Sequence, residues 1–187
     1  EKNESDIKKI RESVQKDVTS INCENGIFQY LFDKYKENPV DKGLIEITGN
    51  SIDNGNQILL PKIVDPDWNV DDWWISKNEI NSYVKINFKN LKIQIFKYRI
   101  RVGSKSGSYL FKSWILKGMN EDNQEIILDE VYNSNQITSN KPEATLQIQN
   151  KNIPFVKSII LVMKGRSSSG NLSMRLRNIE LYGNIKT

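Results

Sequence analysis

Between residues 65 and 72 four carboxylates, those of Asp65, Asp67, Asp71 and Asp72, crowd into one polar stretch around Asn69. A hard cation such as Ca²⁺ takes about 6 to 8 oxygen ligands, so acids and amides at this density suit one. The stretch is no EF-hand loop, because Pro66 and Trp68 break that ligand pattern and no bidentate Glu follows. Its other reading is a solvated acidic turn in which Asp65 accepts hydrogen bonds from loop amides. Trp68 and Trp73 sit in the same stretch with little apolar cover, which predicts rings that face solvent or a ligand. A second polar stretch holds Arg166, Ser167, Ser168 and Asn171. The guanidinium brings five fixed donors suited to a carboxylate, a phosphate or a sugar hydroxyl, and the hydroxyls and amide add adaptable partners. The alternative here is an ordinary surface turn. Lys97, Arg99 and Arg101 alternate with Tyr98, Ile100 and Val102 and form a cationic strand face that could meet phosphates. No aromatics interleave on that face to stack bases, so nucleic acid is the least supported ligand class.

The missing side chains narrow the chemistry further. With no His and one Cys among 187 residues, a Ser-His-Asp triad, a Cys-His dyad and any His-bearing zinc site are excluded. Asp129 and Glu130 are adjacent on an expected strand, point to opposite faces and cannot share a substrate. No catalytic constellation remains, and the chain reads as noncatalytic. Cys23 has no intrachain partner, which favours a reducing compartment, and its thiol reads as a small buried group. Two acceptor tripeptides for glycosylation, beginning at Asn3 and Asn171, point the other way but arise easily by chance in an Asn-rich chain. The 27 basic against 23 acidic residues give a net charge of +4, and 37% hydrophobic with 27% charged residues is the composition of a globular domain. No apolar run approaches the roughly 18 residues of a spanning helix, so no membrane span is expected. Beginning at Glu1, the chain reads as part of a longer protein.

The elements that must position these residues follow from the hydrophobic period. In residues 5–21, Ile7, Ile10, Val14, Val18 and Ile21 fall on one helical stripe. At about two heptads the stripe is too short to stand alone, and two readings stay open: the end of an upstream coiled coil, with weak self-association, or a helix laid on the domain. Residues 25–38 form a second helix, with Ile27, Leu31 and Tyr35 on one face and Pro39 ending it. From residue 43 the period shortens. Segments 44–48, 83–88, 98–102, 114–118, 126–131, 144–148, 158–164 and 179–182 read as strands separated by turn residues. Val84, Ile86 and Phe88 alternate with polar neighbours, as on a half-buried antiparallel strand. Residues 159–163 are apolar throughout and should form a central strand covered on both faces.

Three ordered segments then resemble discoidin domains, also called coagulation factor V/VIII type C domains. The run from Phe111 to Asn123 around Ser113-Trp114-Ile115-Leu116 is similar to their Leu-Lys-Ser-Trp segment. Ile63-Val64-Asp65 with Trp73-Trp74-Ile75-Ser76 is similar to their first loop, and residues 165–183, ending in Glu180-Leu181-Tyr182-Gly183, to their closing segment. The resemblance implies an all-β fold, an antiparallel jelly-roll sandwich of the galactose-binding-like type preceded by helices. In such a sandwich the Trp114 ring should fill the roughly 10 Å between sheets. Secreted relatives commonly join the domain ends by a disulfide, for which this chain has no pair of Cys, and the helix after Asn25 is similar to that of intracellular multidomain members. Some sugar-binding relatives hold a structural Ca²⁺ with a loop Asp and the Glu of the last strand, positions matched by Asp65 and Glu180.

The expectation is therefore three parts: residues 1–24 as a helical linker or coiled-coil end, 25–40 as a docked helix, and 41–187 as the sandwich. Its function is expected to be recruitment of a protein partner through loops at one end, inside the cell in the cytoplasm. The alternative is a carbohydrate-binding module for galactose-type sugars, accessory to an enzyme or free-standing. Candidate ligand contacts are Trp68, Trp73, Arg166, Ser167, Ser168 and Asn171, and the candidate Ca²⁺ pair is Asp65 with Glu180.

Overall fold

Short runs of branched and aromatic residues in period two build ten β-strands among the residues that the computed structural model describes, which are 20–51, 54–67, 73–103, 109–150 and 152–187. They are β1 (Ile21–Cys23), β2 (Ile45–Gly49), β3 (Trp74–Ile75), β4 (Tyr83–Phe88), β5 (Lys92–Val102), β6 (Trp114–Met119), β7 (Glu125–Val131), β8 (Glu143–Gln147), β9 (Ser158–Met163) and β10 (Arg175–Lys186). All pair antiparallel in two five-stranded sheets. One sheet has the order β1-β10-β5-β8 with β3 also on β10, and the other runs β2-β4-β9-β6-β7. The expected antiparallel jelly-roll sandwich is the fold observed.

β9 is the central strand of the second sheet, as its unbroken apolar run predicts, and all six of its residues are buried. Ile159, Leu161 and Met163 enter the core. On the outer face Ile160 and Val162 are flanked by Lys85, Lys117, Tyr83 and Ile115 across the strands, so neighbouring side chains rather than a second layer shield them.

Trp114 is fully buried between the sheets, as expected, and stands edge-on to Phe111 at 5.8 Å. Its indole N–H donates to the Tyr98 hydroxyl at 2.9 Å, and that hydroxyl donates to Asp129 at 2.6 Å. The chain of bonds ties the centre of one sheet to the edge strand β7 of the other. Burial, then the bond to Asp129, raises the phenol far above its ordinary range, so it remains a neutral donor.

The outer edge of β10 is occupied by strands only at its ends. β3 pairs with Arg175 and Leu176, and β1 pairs with residues 183–185. Between them two helices take the strand's place. Glu180 accepts the backbone N–H groups of Phe28 at 2.9 Å and Gln29 at 3.1 Å, which are first-turn donors of helix α1 (Ile27–Tyr35), and also that of Leu181. Two residues earlier, Asn178 donates to the carbonyls of Ile63 and Asp65 at the end of the 3-10 helix Leu60–Val64. Gly26 precedes α1 at φ 117°, and a Cβ there would strike the Glu180 carboxyl. Held this way, α1 lays Phe28 against Phe88 of β4, rings stacked at 6.1 Å.

The helix predicted over residues 25–38 is thus α1. Residues 5–19 of the N-terminal stripe lie outside the described residues, but Ile21, its last member, is corrected: it belongs to β1, exposed, where pairing with Ile185 offers its backbone a ladder. The first sheet thus takes in residues 21–23 as well.

Trp114→Ala should cost about 3 to 5 kcal/mol as a core cavity. Tyr98→Phe, which strands both Asp129 and the indole N–H, should cost about 1 to 3 kcal/mol by chemical denaturation. An unchanged midpoint for Tyr98→Phe would contradict the inter-sheet bond. Glu180 gives a pH prediction. Burial pushes its pKa from 4.5 up to about 7, against the pull of the three N–H donors. A carboxyl raised on folding favours the fold when protonated, so its contribution is complete below the unfolded value and fades as pH rises through about 7. The advantage of the native protein over Glu180→Gln should therefore shrink between about pH 5 and 8, by up to about 3 kcal/mol. Melting curves of the two that stay parallel across this range would show the carboxyl to be already ionised.

Candidate ligand site at one end of the sandwich

Register places the start of β10, the end of β5, and the near ends of β4, β9 and β6 at one end of the molecule. The loops there are bonded to one another more than to solvent. Ser76 and Met174 exchange bonds, the Ser76 N–H donating to the Met174 carbonyl and the Met174 N–H to the Ser76 hydroxyl. The Leu172 N–H donates to Asn78 at 2.7 Å. Ser168 donates its N–H to the Leu110 carbonyl and its hydroxyl accepts the Leu110 N–H. Three loops, around residues 73–78, 109–111 and 166–175, are thereby one surface, which holds side chains with little reorganisation.

At its centre is Arg175. Its guanidinium carbon lies 3.3 Å from the centre of the Tyr109 ring and 5.7 Å from that of Trp73. The Trp73 ring rests on Gly103, where any Cβ would collide with it, and the Gly103 N–H donates to the Arg175 carbonyl. All three side chains are half-buried, and Arg175 Nε is buried with no hydrogen-bond partner among the described residues. The stacking fixes the planar guanidinium between two rings at the loop surface.

The structure distributes the expected site residues unevenly. Trp73 is in the cluster. Arg166 is exposed on the adjoining turn and donates to the Gly170 carbonyl at 2.6 Å, and Ser168 is exposed beside it. Ser167 and Asn171 are spent inside that turn: Ser167 is buried, its hydroxyl donates to Asn171, and its N–H donates to the Asn171 carbonyl. Trp68, Asn69, Asp71 and Asp72 lie outside the described residues.

Asp65 and Glu180, the candidate Ca²⁺ pair, each have partners of their own within the protein. The Asp65 carboxylate accepts the Asp67 N–H at 3.1 Å and faces Lys62 at 3.7 Å, the turn role that its sequence also allowed. Glu180 gives both oxygens to backbone N–H groups, because α1 presents its unsatisfied first-turn donors there. Among the described residues no three His, Cys, Asp or Glu side chains gather as a metal site.

Sequence reasoning missed Tyr109 and Arg175. Neither stands in a patterned motif, and the two meet only because β10 begins beside the loop that follows β5. The cationic face of β5 is real, but Arg101 is paired with Glu143 at 2.9 Å and Lys97 lies 4.2 Å over the Tyr182 ring. The most voluminous cleft of those seen, about 740 Å³, lies away from the loops on the outer face of the second sheet, and its Lys92 is paired with Glu121 at 2.8 Å.

No protein-family model matches the sequence, and no curated protein matches it. Solved structures do. The Clostridium perfringens module CpGH89CBM32-5, in complex with GalNAc-β-1,3-galactose, has a TM-score of 0.57 at 18% identity over 76% of this chain and 97% of that one. A Streptococcus pneumoniae fucose-binding module has a TM-score of 0.56 at 12% identity over 74% of this chain and 90% of that one. A fucolectin from the serum of Morone saxatilis, the striped bass, has a TM-score of 0.57 at 14% identity, covering 77% of this chain and 47% of the fucolectin. With two antiparallel sheets in the order described and these likenesses, the chain has the galactose-binding-like jelly-roll fold of discoidin-type modules.

Proposed function

We propose that the chain is a noncatalytic glycan-binding module that takes a sugar at the loop end, on Trp73 and Arg175. The observation that carries this reading is the Arg175 guanidinium stacked on the Tyr109 ring beside that of Trp73 on the loop surface. A sugar ring has an apolar C–H face and a rim of hydroxyls. An aromatic ring accepts the first and a fixed set of N–H donors the second. Exposed Arg166 and Ser168 extend the donors along the same surface.

The neighbours in fold support sugar over protein as the ligand. They include modules in complex with GalNAc-β-1,3-galactose, with galactose and, in a lectin-domain variant, with Lewis b. Recruitment of a protein partner, the first expectation from the sequence, has no comparable support. The noncatalytic reading rests on the site's own groups, since an arginine and two rings supply neither a general base nor a nucleophile near neutral pH.

The experiment is capture on immobilised glycans ending in galactose, N-acetylgalactosamine or fucose. Arg175→Ala and Trp73→Ala should each weaken capture by roughly 1 to 3 kcal/mol, with melting temperature as the control for folding. Arg166→Ala should weaken it less, because its guanidinium is exposed. Undiminished capture by the Arg175→Ala, Trp73→Ala double variant would move the site elsewhere, and no capture by the native protein would end the glycan reading at this end.

A further inference from the structure

The alternation of β5 changes phase in its middle. Ile93 and Ile95 are fully buried, and so are Tyr98, Ile100 and, nearly, Val102, so the inward positions switch from odd to even between 95 and 98. The strand accommodates this with a β-bulge: Tyr182 pairs with Lys97 and Gly183 with Ile95, which leaves Phe96 without a partner on β10. Phe96 is consequently thrown outward beside Lys97 and is 41% exposed. A bulge that keeps two core residues inward can place a large ring in water as a by-product. The surroundings of this ring are more particular than that.

Phe96 borders an open cleft of about 480 Å³ on the outer face of the first sheet, midway along β5. Asn22 and Asn25 reach it from β1 and the turn after it, and Gln147 from β8. Gly183 of β10 also lines the cleft, at φ 155°, where a Cβ would collide with the Gln94 carbonyl. The charged groups at the rim are engaged. Lys97 sits over the Tyr182 ring, and Glu24 accepts from Asn22 at 3.3 Å. The cleft thus sets a partly exposed aromatic ring beside the primary amides of Asn22, Asn25 and Gln147, of which Asn22 already donates to Glu24.

We infer that this cleft is a second ligand site, for a single pyranose residue of a glycan. The apolar face of the sugar lies on Phe96, and its neighbouring hydroxyls exchange hydrogen bonds with Asn22, Asn25 and Gln147. The pairing of an apolar ring with amides suits a sugar's C–H face and hydroxyls, and the size fits the volume range of small-ligand clefts. The inference extends the glycan reading but stands on different residues, on the outer face of the first sheet away from the loop end, which would make the module bivalent.

The test uses ¹⁵N-labelled Arg175→Ala protein, which lacks the loop-end guanidinium, titrated separately with galactose, N-acetylgalactosamine and fucose. The expected result is a saturable shift of the side-chain amide signals of Asn22, Asn25 and Gln147 with at least one sugar. Phe96→Ala in that background should weaken it about tenfold or more, while Phe96→Tyr retains it, and both should keep the native melting temperature because the ring is exposed. No saturable shift with any of the three sugars, or shifts that Phe96→Ala leaves unchanged, would overturn the second site. Loss of loop-end capture in the Arg175→Ala protein with persistence of these shifts would show the two sites to be separate.

Discussion

A strand that pairs along only part of its edge must find other partners for what lies between, and β10 finds them through two side chains. Glu180 supplies the acceptor that the N-terminus of α1 lacks, and Asn178 supplies the donor that the 3-10 helix needs at its end. Each helix terminus has orphan backbone groups of the opposite kind, so an acid and an amide two residues apart suit them in turn. The same carboxylate explains Gly26, whose missing Cβ makes room for it, and it adds to the burial that raises the Cys23 thiol to about 11. With α1 in place Phe28 meets Phe88, and the two sheets share a core on that side as well as through Trp114 and Tyr98.

The loop end shows the same economy with a different purpose. Its side-chain hydroxyls and amides are used on backbone groups of neighbouring loops, which fixes Arg175 between Tyr109 and Trp73 before any ligand is present. Ordering costs met during folding are not charged again on binding. The inward-facing serines of this end are framework, and the arginine is the group left with capacity to spare.

Much of the fold was legible because strand period and core composition are local. Trp114, β4 and β9 could be read from their immediate neighbours. Ile21 was misread because a 3-4 spacing continues a helical stripe as well as it starts a short strand, and the partner that decides the matter, Ile185, is far along the chain. The bonds of Glu180 to α1 have no sign in the sequence, because an acid on the last strand does not reveal the helix N-terminus that lies over it, about 150 residues away along the chain. The Arg175 cluster was hidden for the same reason, since a cation–ring contact between residues 73, 109 and 175 leaves no pattern in any one segment. Phe96 was different: the shift of inward positions between Ile95 and Tyr98 was there to be read in the sequence.

β1 pairs with the tail of β10, and its pairs run from Ile21 with Ile185 to Cys23 with Gly183. The chain thus passes into and out of the sandwich side by side, at the end remote from Trp73 and Arg175. A module tethered there presents its loop surface outward on a stalk. Tension drawn through both termini would act across the β1–β10 ladder and open its bonds one after another, as in unzipping, rather than load them together in shear. The first element to yield would be β1, and next to it lies Glu180, so pulling on the chain would loosen the seat of α1 while the loop end stayed whole.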